Sequence, residues 1–595
     1  MKKIVVMCAA QLLGAMTVCG QKAYLSPTHM AVDTQEGKGY VVLSTASALS
    51  QIDLDSEQVL NTIPLNFEPS DVCVSPDGKS LYITENKADG KLFIYATNTL
   101  KKKGNVSVGA YPFAVCVNAE GTKGWVANRF SNDLSVIDLN KKKEIARIPM
   151  VREPKSLALS PDGKILAVGN YLPNQASTDQ TVSSVVTLID TKTNHVIANV
   201  PLQDGSQSVE DVCFSKDGKV LFVSHLLSRY QYPTTQLERG WMNTNAVSII
   251  NVAKRKADRT FLLDDMYQGA ANPCGLALSE DGEELYVALS GSHDLMIVSI
   301  MPILRDLKES DFLDPSNNLT YMNSYKKRVN LNAKGPRYIM VNDGKLFISD
   351  YFSGGLSVTD CKHPEKVRFV KLGEEPEMDD IRKGEMIFAD GSLCFQKWQS
   401  CVSCHPGARA DGLNWDQMND GMGNPKNTKS MLYAHMTPPA MITGVRADAE
   451  TAVRAGIKHI LFAQFPETDN KCVDKYLSSI KELPSPYLEK GELSKSAQNG
   501  KKLFQQAGCA DCHKGDYLTD GNKYNVETGI EEYDGASFDT PSLREIWRTA
   551  PYLYDGRAKT IKEVLTTFNK NDKHGKTSNL SEKEIADLET YVLSL

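Results

Sequence analysis

Two short segments of the chain combine cysteine and histidine at a spacing that suits covalent haem attachment. Both read Cys-x-x-Cys-His, with Cys401, Cys404 and His405 in the first and Cys509, Cys512 and His513 in the second. The two thiols lie about one helical turn apart and add to the haem vinyl groups, while the adjacent histidine reaches the iron as its proximal ligand. A pair of zinc or redox Cys-x-x-Cys motifs is the alternative, but neither needs a histidine directly after the second cysteine. The sequence therefore predicts two covalently bound c-type haems.

The second predicted haem needs a ligand on the far side of its iron, and the chain offers few candidates. No methionine follows Met441, so a Met/His pair is excluded there. His574 is the one histidine after His513, and it lies in a loop before the final helical segment. We predict His574 as the sixth iron ligand, which lowers the expected reduction potential because thioether ligation raises it. The alternative is an exposed loop histidine beside an open or tyrosine-ligated iron.

Two histidines near the first predicted haem are candidate catalytic residues. His435 precedes the run Met436-Thr437-Pro438-Pro439, and this loop position favours a side chain that faces the cofactor. His459 lies on an apolar helical segment. It is a ligand, a proton shuttle for peroxide at an open iron, or a packed core histidine. Met422 and Met436 are also near in the sequence.

A long repetitive region precedes these segments. Between residues 24 and 372 a proline, an apolar strand, an Asp-Gly-type turn, a second apolar strand and an alternating run recur. Gly78, Gly121 and Gly163 are 43 and 42 residues apart, which suits a four-stranded blade. Seven copies predict an all-β, seven-bladed propeller over residues 21–375. The turns lie at Asp77-Gly78, Glu120-Gly121, Asp162-Gly163, Asp217-Gly218, Asp281-Gly282 and Asp343-Gly344, after a degenerate first copy.

Three insertions in the later copies are predicted to project from a face of the ring. They span residues 171–184, 226–245 and 301–334. Such loops either bind a ligand or cap a haem, or they pack against the following module, and we favour packing for the middle one. The aromatic and cationic residues in and next to the middle insertion are His225, Arg229, Tyr230, Tyr232, Arg239 and Trp241.

The remaining residues are predicted to be mostly α-helical and to form two tandem cytochrome c-like lobes. An acidic linker at residues 374–380 ends the propeller, and the first lobe covers residues 376–489. The proline-bearing stretch 483–487 is the joint to the second lobe, residues 490–595. The predicted fold is therefore multidomain, with one haem in each lobe.

Both halves of the chain resemble known families. The run Asn128 to Asp138 is similar to the YVTN-type β-propeller repeat, which implies seven blades but no activity of its own. The helical half resembles the bacterial di-haem cytochrome c peroxidase superfamily, which implies peroxidase-like redox chemistry at two haems. The motifs that carry this resemblance are Thr540-Pro541-Ser542-Leu543-Arg544, Thr549-Ala550-Pro551-Tyr552, Asp555-Gly556-Arg557 and, more weakly, Lys426-Asn427-Thr428.

The peroxidase resemblance also implies a calcium ion between the haems. Its ligands would be Asn427 and the carbonyls of Thr549 and Pro551, and oxygen ligands suit calcium. The chain departs from the family at two positions. The family's tryptophan bridge between the haems falls on Ile442, and its distal glutamate falls near Phe462. We therefore do not expect an aromatic relay or a catalytic carboxylate at these two positions.

Composition and the N-terminal residues limit the classes of protein to which the chain can belong. A hydrophobic share of 41% describes an ordinary globular chain, and a net charge of -6 without a long basic run disfavours nucleic-acid binding. Lys2 and Lys3 precede a short apolar run, which predicts a signal peptide over residues 1–20 rather than a membrane span. We therefore expect export to the periplasm or the cell surface. Lipid attachment at Cys19 is the less favoured alternative.

Seven cysteines lie outside the haem motifs and the predicted signal peptide, so at least one stays unpaired. Cys73, Cys116 and Cys213 recur at one place in the repeat, within apolar strands, and are predicted to be buried thiols. Cys394 and Cys472 flank the first haem motif, and a disulfide between them is our expectation.

These patterns predict an exported di-haem redox enzyme, peroxidase-like or oxidase-like. The second-lobe haem would collect electrons from a donor protein or a small-molecule reductant, and the first-lobe haem would meet peroxide, oxygen or an organic substrate. The alternative is a non-catalytic electron-transfer protein whose propeller docks a partner or a surface ligand. The departures at Ile442 and Phe462 favour the alternative, whereas the retained motifs between the haems favour the enzyme.

The two Cys-x-x-Cys-His motifs generate the first prediction. The purified, exported protein should carry two haems per chain that survive acid-acetone extraction, because thioether bonds hold them covalently. Haem staining and intact-mass measurement check this number. A count of one or zero would contradict the assignment.

Overall fold

The computed structural model describes residues 23–232, 242–309, 314–417 and 423–595, so the predicted signal peptide lies outside the described residues. The N-terminal part is a ring of seven antiparallel four-stranded sheets, each built from four consecutive strands. The C-terminal part is mostly helical. The predicted seven-bladed propeller and the multidomain architecture are therefore confirmed.

The blades take the strands in chain order, from the ring axis outwards. The strands are β1 Pro27–Asp33, β2 Lys38–Leu43, β3 Ala48–Asp53, β4 Gln58–Pro64, β5 Pro69–Val74, β6 Ser80–Glu85, β7 Lys91–Ala96, β8 Lys102–Ser107, β9 Pro112–Val117, β10 Lys123–Asn128, β11 Asp133–Asp138, β12 Lys143–Pro149, β13 Pro154–Leu159, β14 Ile165–Asn170, β15 Val185–Asp190, β16 His195–Pro201, β17 Ser206–Phe214, β18 Val220–Ser228, β19 Asn243–Asn251, β20 Lys256–Leu262, β21 Pro273–Leu278, β22 Glu284–Leu289, β23 Asp294–Ser299, β24 Lys326–Asn330, β25 Pro336–Asn342, β26 Lys345–Asp350, β27 Gly355–Asp360 and β28 His363–Lys371.

A repeated hydrogen bond joins neighbouring blades. A hydroxyl on the second strand of one blade donates to a carbonyl on the innermost strand of the next: Thr84 to Phe113 at 3.1 Å and Ser224 to Cys274 at 2.6 Å. Ser349 in the last blade donates in the same way to Thr28 in the first, at 2.7 Å. Each bond satisfies a carbonyl that the innermost strand leaves free of its own sheet, so the recurring small hydroxyl residue specifies the blade spacing.

The ring closes without sharing a strand between its first and last blades. Apolar side chains of the two blades form one buried cluster that includes Met30, Val41, Phe347 and Leu356. Closure therefore depends on hydrophobic packing between complete sheets.

The helical half contains two lobes with the same plan. In each lobe a first and a last helix cross: α2 with α5, and α6 with α8. Each lobe also contains one short hairpin, β29 with β30 in the first lobe and β31 with β32 in the second. The bounds are α1 Ile300–Glu309 in the propeller insertion, α2 Asp380–Ala389, α3 Cys401–Cys404, β29 Asn414–Trp415, β30 Lys426–Asn427, α4 Ala449–His459, α5 Glu467–Ser479, α6 Lys495–Gln506, β31 Lys523–Tyr524, β32 Phe538–Asp539, α7 Ile561–Leu565 and α8 Glu582–Leu593.

A glycine allows each pair of crossing helices to touch. A Cβ atom on Gly384 would lie 2.0 Å from the carbonyl oxygen of Cys472, and one on Gly500 would lie 2.0 Å from that of Asp587. Both distances are far shorter than a van der Waals contact. An aromatic pair then covers each crossing, with Phe504 and Tyr591 at 5.3 Å between ring centroids in the second lobe.

Two further observations complete the fold. No helix of the described part of the chain is both long and apolar enough to cross a bilayer. Cys394 and Cys472 are both free thiols, so the expected disulfide between them is wrong. The physical reason is that they belong to different buried clusters: Cys394 packs with Ile457 and Leu461, whereas Cys472 packs in the crossing of α2 and α5.

The helix crossing generates the second prediction. Gly500→Ala should destabilise the second lobe by about 1–3 kcal/mol, because the added methyl group overpacks the contact with Asp587. Gly456→Ala is the matched control, since a Cβ at this helical glycine meets no atom within 4 Å, and it should stabilise the chain by about 0.4–1 kcal/mol. Urea unfolding monitored in the haem absorption measures both changes. Equal stability of the two variants would contradict the assigned contact.

Candidate haem sites

The two proximal histidines are held in the same way. His405 Nδ1 lies 3.1 Å from the Arg409 carbonyl oxygen, and His513 Nδ1 lies 3.2 Å from the Leu518 carbonyl oxygen. A carbonyl can only accept, so each Nδ1 carries the proton and each Nε2 keeps a free lone pair. Burial lowers the pKa of both rings, which favours their neutral form. Each ring is therefore prepared to bind a metal through Nε2.

A structural repeat of 112 residues relates the two lobes beyond their Cys-x-x-Cys-His motifs. Met441 and Leu553 both have a φ near +74°, and Gly444 and Gly556 both have a φ near +64°. Isolated bridges at Ala440 with Arg446 and at Tyr552 with Ala558 keep the same offset. The segment Thr437 to Gly444 in the first lobe is therefore the counterpart of Thr549 to Gly556 in the second.

His574 lies opposite His513. Their ring centroids are 6.3 Å apart with an angle of 40° between the planes. An imidazole nitrogen binds a transition metal at about 2 Å, so two imidazoles on opposite sides of one ion have ring centres roughly 6 Å apart. Nδ1 of His574 is buried and has no hydrogen-bond partner among the described residues. Burial, with a smaller contribution from His513, lowers the pKa of His574 to about 4. These residues fit a bis-histidine haem iron.

His459 and His435 lie in different surroundings. His459 is the last residue of α4 and is exposed, so the alternative of a packed core histidine is wrong. The helix ends there, and Ile457 within it and Leu461 just after it pack into a buried cluster instead. His435 is buried, and its Nε2 lies 3.1 Å from Asp474, which also pairs with Arg454. Of the nearby methionines, Met422 lies outside the described residues.

His459 and His574 stand the same number of residues before the last helix of their lobes. His459 stands seven residues before Pro466, the residue that caps α5, and His574 stands seven residues before Ser581, which caps α8. In both lobes the next residues pack against the first attachment cysteine: Leu461 lies in a cluster with Cys401, and a Cβ on Gly575 would lie 3.2 Å from Cys509 Sγ. His459 and His574 are thus equivalent in their distance from the last helix, at an offset of 115 residues rather than the 112 of the preceding segment.

The propeller holds the first attachment segment with a row of amide side chains. Gln207 Nε2 donates to the Ser403 carbonyl at 2.7 Å, and Asn245 Nδ2 donates to the Trp398 carbonyl at 3.0 Å. These donors are fully buried, so they satisfy backbone groups that water does not reach. The row comprises Gln207, Asn243, Asn245 and Asn272.

A buried carboxylate joins the two lobes. Glu545 accepts two hydrogen bonds from Arg409, at 2.8 and 2.9 Å, and the two side chains are 1% and 4% exposed. It also accepts the backbone N–H of Leu483 in the joint between the lobes. Arg548, one turn further along, stacks over Phe130 of the propeller at 4.4 Å. The carbonyl that orients His405 belongs to Arg409, so this ion pair supports the first proximal histidine.

Aromatic side chains touch across the lobes at a place that the sequence did not indicate. The ring centroids of Tyr433 in the first lobe and Tyr517 in the second lie 4.9 Å apart. Tyr517 precedes Leu518, whose carbonyl orients His513. Ile442, at the predicted position of the aromatic bridge, meets the second lobe through its backbone, as its carbonyl accepts the N–H of Asp539 at 2.9 Å.

The predicted calcium ligands lie near one another in part. The backbone N–H of Asn427 donates to the carbonyl of Tyr554, three residues beyond Pro551, at 2.9 Å. The side-chain amide of Asn427 donates to Ser177 in the first propeller insertion at 2.5 Å. Thr549 Oγ1 donates to the Ile546 carbonyl at 3.2 Å. The calcium assignment stays a prediction.

The middle insertion packs against the first lobe, as favoured. Tyr230 and Met242 share a buried cluster with Leu413 and Trp415. His225 lies within β18, where its Nε2 is 2.8 Å from Ser248, so it is part of the blade. Arg239 and Trp241 lie outside the described residues.

Comparison with known proteins gives a consistent picture. The model of the Cytochrome c-550 domain matches residues 489–595. The chain is 27% identical over 272 residues to hydrazine synthase subunit gamma of Kuenenia stuttgartiensis, covering 36% of this chain and 77% of that subunit. It is 27% identical over 235 residues to subunit beta of the same enzyme, covering 38% of this chain and 58% of the subunit. It is 23% identical over 308 residues to a cytochrome-c peroxidase of Denitromonas iodatirespirans, covering 36% and 81%.

The match of residues 489–595 shows that the second lobe is a cytochrome c domain. The chain joins a seven-bladed propeller to a peroxidase-like cytochrome c module. A covalently bound c-type haem is the cofactor that this module implies, and the relatives are oxidoreductases. The number of haems stays a prediction.

The position of His574 generates the third prediction. His574→Ala should convert one low-spin iron to high spin, because the iron loses a strong nitrogen ligand on one side. Electron paramagnetic resonance of the oxidised protein measures the change. His363→Ala, at an exposed propeller histidine, is the control and should leave the spectrum as it is. An unchanged spectrum in His574→Ala would remove this residue from the coordination sphere.

Proposed function

We propose that the protein is an exported di-haem redox enzyme in which one haem accepts electrons and the other meets the substrate. The observation that carries this proposal is the contrast between two equivalent histidines. His574 is half-buried and faces His513, whereas His459 is exposed. A duplicated lobe with one closed and one accessible far side suits a division into an electron-entry haem and a substrate haem.

The second lobe fits the electron-entry role. His513 and His574 would hold the iron from both sides, which leaves no position for a substrate. The rings of Tyr433 and Tyr517 touch between the lobes and support electron transfer from this haem towards the first. The donor would be a redox protein or a small-molecule reductant.

The first lobe fits the substrate role. Cys401, Cys404 and His405 would hold the haem, and Arg409 fixes the protonated Nδ1 of His405 through its carbonyl oxygen. His459, on the equivalent place to His574, is accessible and can hold a proton for transfer to or from a bound substrate. When bound, the two haems supply the two one-electron centres that reduction of a peroxide to two waters, with two electrons and two protons, requires.

His435 has a supporting proton-holding role in this proposal. Its Nε2 lies 3.1 Å from Asp474, and Arg454 holds the same carboxylate at 2.7 Å. A histidine paired with an oriented carboxylate keeps a defined tautomer and can return a proton. The buried pair replaces, in this proposal, the carboxylate that the chain lacks near Phe462.

The names of the relatives indicate the substrate class. Hydrazine synthase subunits and cytochrome-c peroxidases place small nitrogen compounds and peroxides among the candidate substrates. Similarity to two subunits of one enzyme suggests that this chain combines, in one polypeptide, parts that are separate there. The predicted signal peptide supports a periplasmic or cell-surface location. Asn427, Thr549 and Pro551 remain the candidate ligands of a calcium ion.

The alternative is an electron-transfer protein whose propeller docks a partner. Its supporting observation is the equivalence of His459 with His574, because a histidine at that place could close the first iron as well. Both irons would then be six-coordinate, with no position for a substrate.

Electron paramagnetic resonance separates the two functions and provides the fourth prediction. The oxidised protein should show one high-spin and one low-spin iron, and peroxide should change only the high-spin signal. His459→Ala should keep the high-spin signal and lower the rate of peroxide reduction by about 10²- to 10⁴-fold, since a proton-transfer group is lost.

His363→Ala is the matched histidine control for the rate and should retain it. Two low-spin signals in the wild-type protein, unaffected by peroxide, would contradict the enzyme and support the electron carrier. A high-spin signal with an unchanged rate in His459→Ala would remove His459 from the catalytic group.

A further inference from the structure

A propeller side chain contacts a haem-attachment sulfur. Asn243, the first residue of β19, is fully buried. Its Nδ2 lies 3.3 Å from Cys404 Sγ and 3.0 Å from the side-chain oxygen of Gln399. Cys404 belongs to the first Cys-x-x-Cys-His motif, so the propeller reaches the attachment point itself.

Neighbouring groups determine which end of the Asn243 amide faces the sulfur. Gln399 Nε2 donates to the carbonyl of Ile460 at 3.0 Å, so the Gln399 oxygen must accept from Asn243. Ser228 donates its hydroxyl to the Asn243 oxygen at 2.6 Å. The NH₂ group of Asn243 is thus directed towards Cys404. A thioether sulfur has no proton and can only accept, so the contact suits the attached state of the cysteine.

Among its described residues the second lobe has no propeller amide at this place, and its sulfur has a polar neighbour from its own lobe instead. Cys512, the counterpart of Cys404, lies beside Tyr524 of its own lobe. Tyr524 is 37% exposed and donates its hydroxyl to Asp520 at 2.7 Å. The polar neighbour of the second sulfur is therefore an exposed side chain of its own lobe, whereas the polar neighbour of the first is a fully buried side chain of another domain. Hydrogen bonding and solvent exposure are two levers by which a protein changes a redox potential.

We propose that Asn243 is a positioning residue for the first haem, and that the propeller, through this amide and the row beside it, sets the redox potential of that haem apart from that of the second. The inference rests on the proposed function in that it requires both haems to be attached. An N–H dipole directed at the thioether places partial positive charge at the haem edge and favours the reduced state. The propeller is then a functional part of the first haem site in addition to a scaffold.

Spectroelectrochemical titration of the holoprotein tests the proposal and provides the fifth prediction. In Asn243→Ala the first haem should be harder to reduce. Its oxidised-to-reduced ratio at a fixed potential should rise about tenfold, which corresponds to a reduction potential lower by about 59 mV for a one-electron couple. The second haem, assigned from the signal that changes in His574→Ala, should titrate as in the wild type. Asn243→Ser, whose hydroxyl is too short to reach Cys404, should shift the first haem in the same direction.

Asn128→Ala is the matched control, because Asn128 is equally buried at the end of β10 and its amide donates to Asp133 and Ser135 within its own blade. This variant should leave both potentials unchanged. Wild-type potentials in both Asn243 variants, or equal shifts of the two haems, would overturn the proposal. A chain that carries no covalent haem would contradict the proposed function, and this inference with it, and mass measurement separates that outcome from unshifted potentials.

Discussion

The arrangement of the haem-binding half depends on one buried carboxylate. Glu545 accepts hydrogen bonds from Arg409 of the first lobe and from the backbone of Leu483 in the joint, so one side chain connects three parts of the chain. A buried ion pair adds little net stability over an apolar pair, but removal of one partner costs about 3–5 kcal/mol, because the other charge is then uncompensated. Such a contact therefore specifies one geometry. The carbonyl of Arg409 orients His405, so that geometry extends to the first iron ligand.

The propeller contributes to the same constraint from the other side. Arg548 stacks on Phe130, and Arg152 of the propeller donates to the Arg548 carbonyl at 3.3 Å. Burial lowers the pKa of Arg548 to about 10, so it stays charged at neutral pH beside Glu545. Buried amides hold the first attachment segment as well. The interface between the propeller and the lobes is therefore polar and held by many specific hydrogen bonds. Independent domains joined by an acidic linker would be expected to make a looser contact.

Local sequence patterns predicted the blades and the haem-attachment motifs. They did not predict contacts between residues that are far apart in the chain. The turns at Gly78 and its counterparts, and the seven blades, follow from short-range periodicity, and so do the two attachment motifs. The row of amides does not, because Asn243 and Cys404 are far apart in the chain and asparagine at a strand end is unremarkable. The expected disulfide between Cys394 and Cys472 was wrong for the same reason: spacing says little about which cluster buries each thiol. The glycine and the aromatic residue of each helix crossing, Gly500 with Phe504 in the second lobe, are four residues apart on one helix, a local pattern from which the crossing could have been predicted.

Duplication of the lobes explains why their differences are informative. Two copies of one plan begin with equivalent cysteines and histidines, so any division of labour must come from what surrounds them. Two such differences are local: His574 is half-buried where His459 is exposed, and Cys512 lies beside an exposed tyrosine. The third comes from outside the lobe, as only the first motif rests on the propeller amides among the described residues. A change in the propeller could therefore alter one haem and leave its duplicate untouched, which a pair of isolated lobes could not achieve.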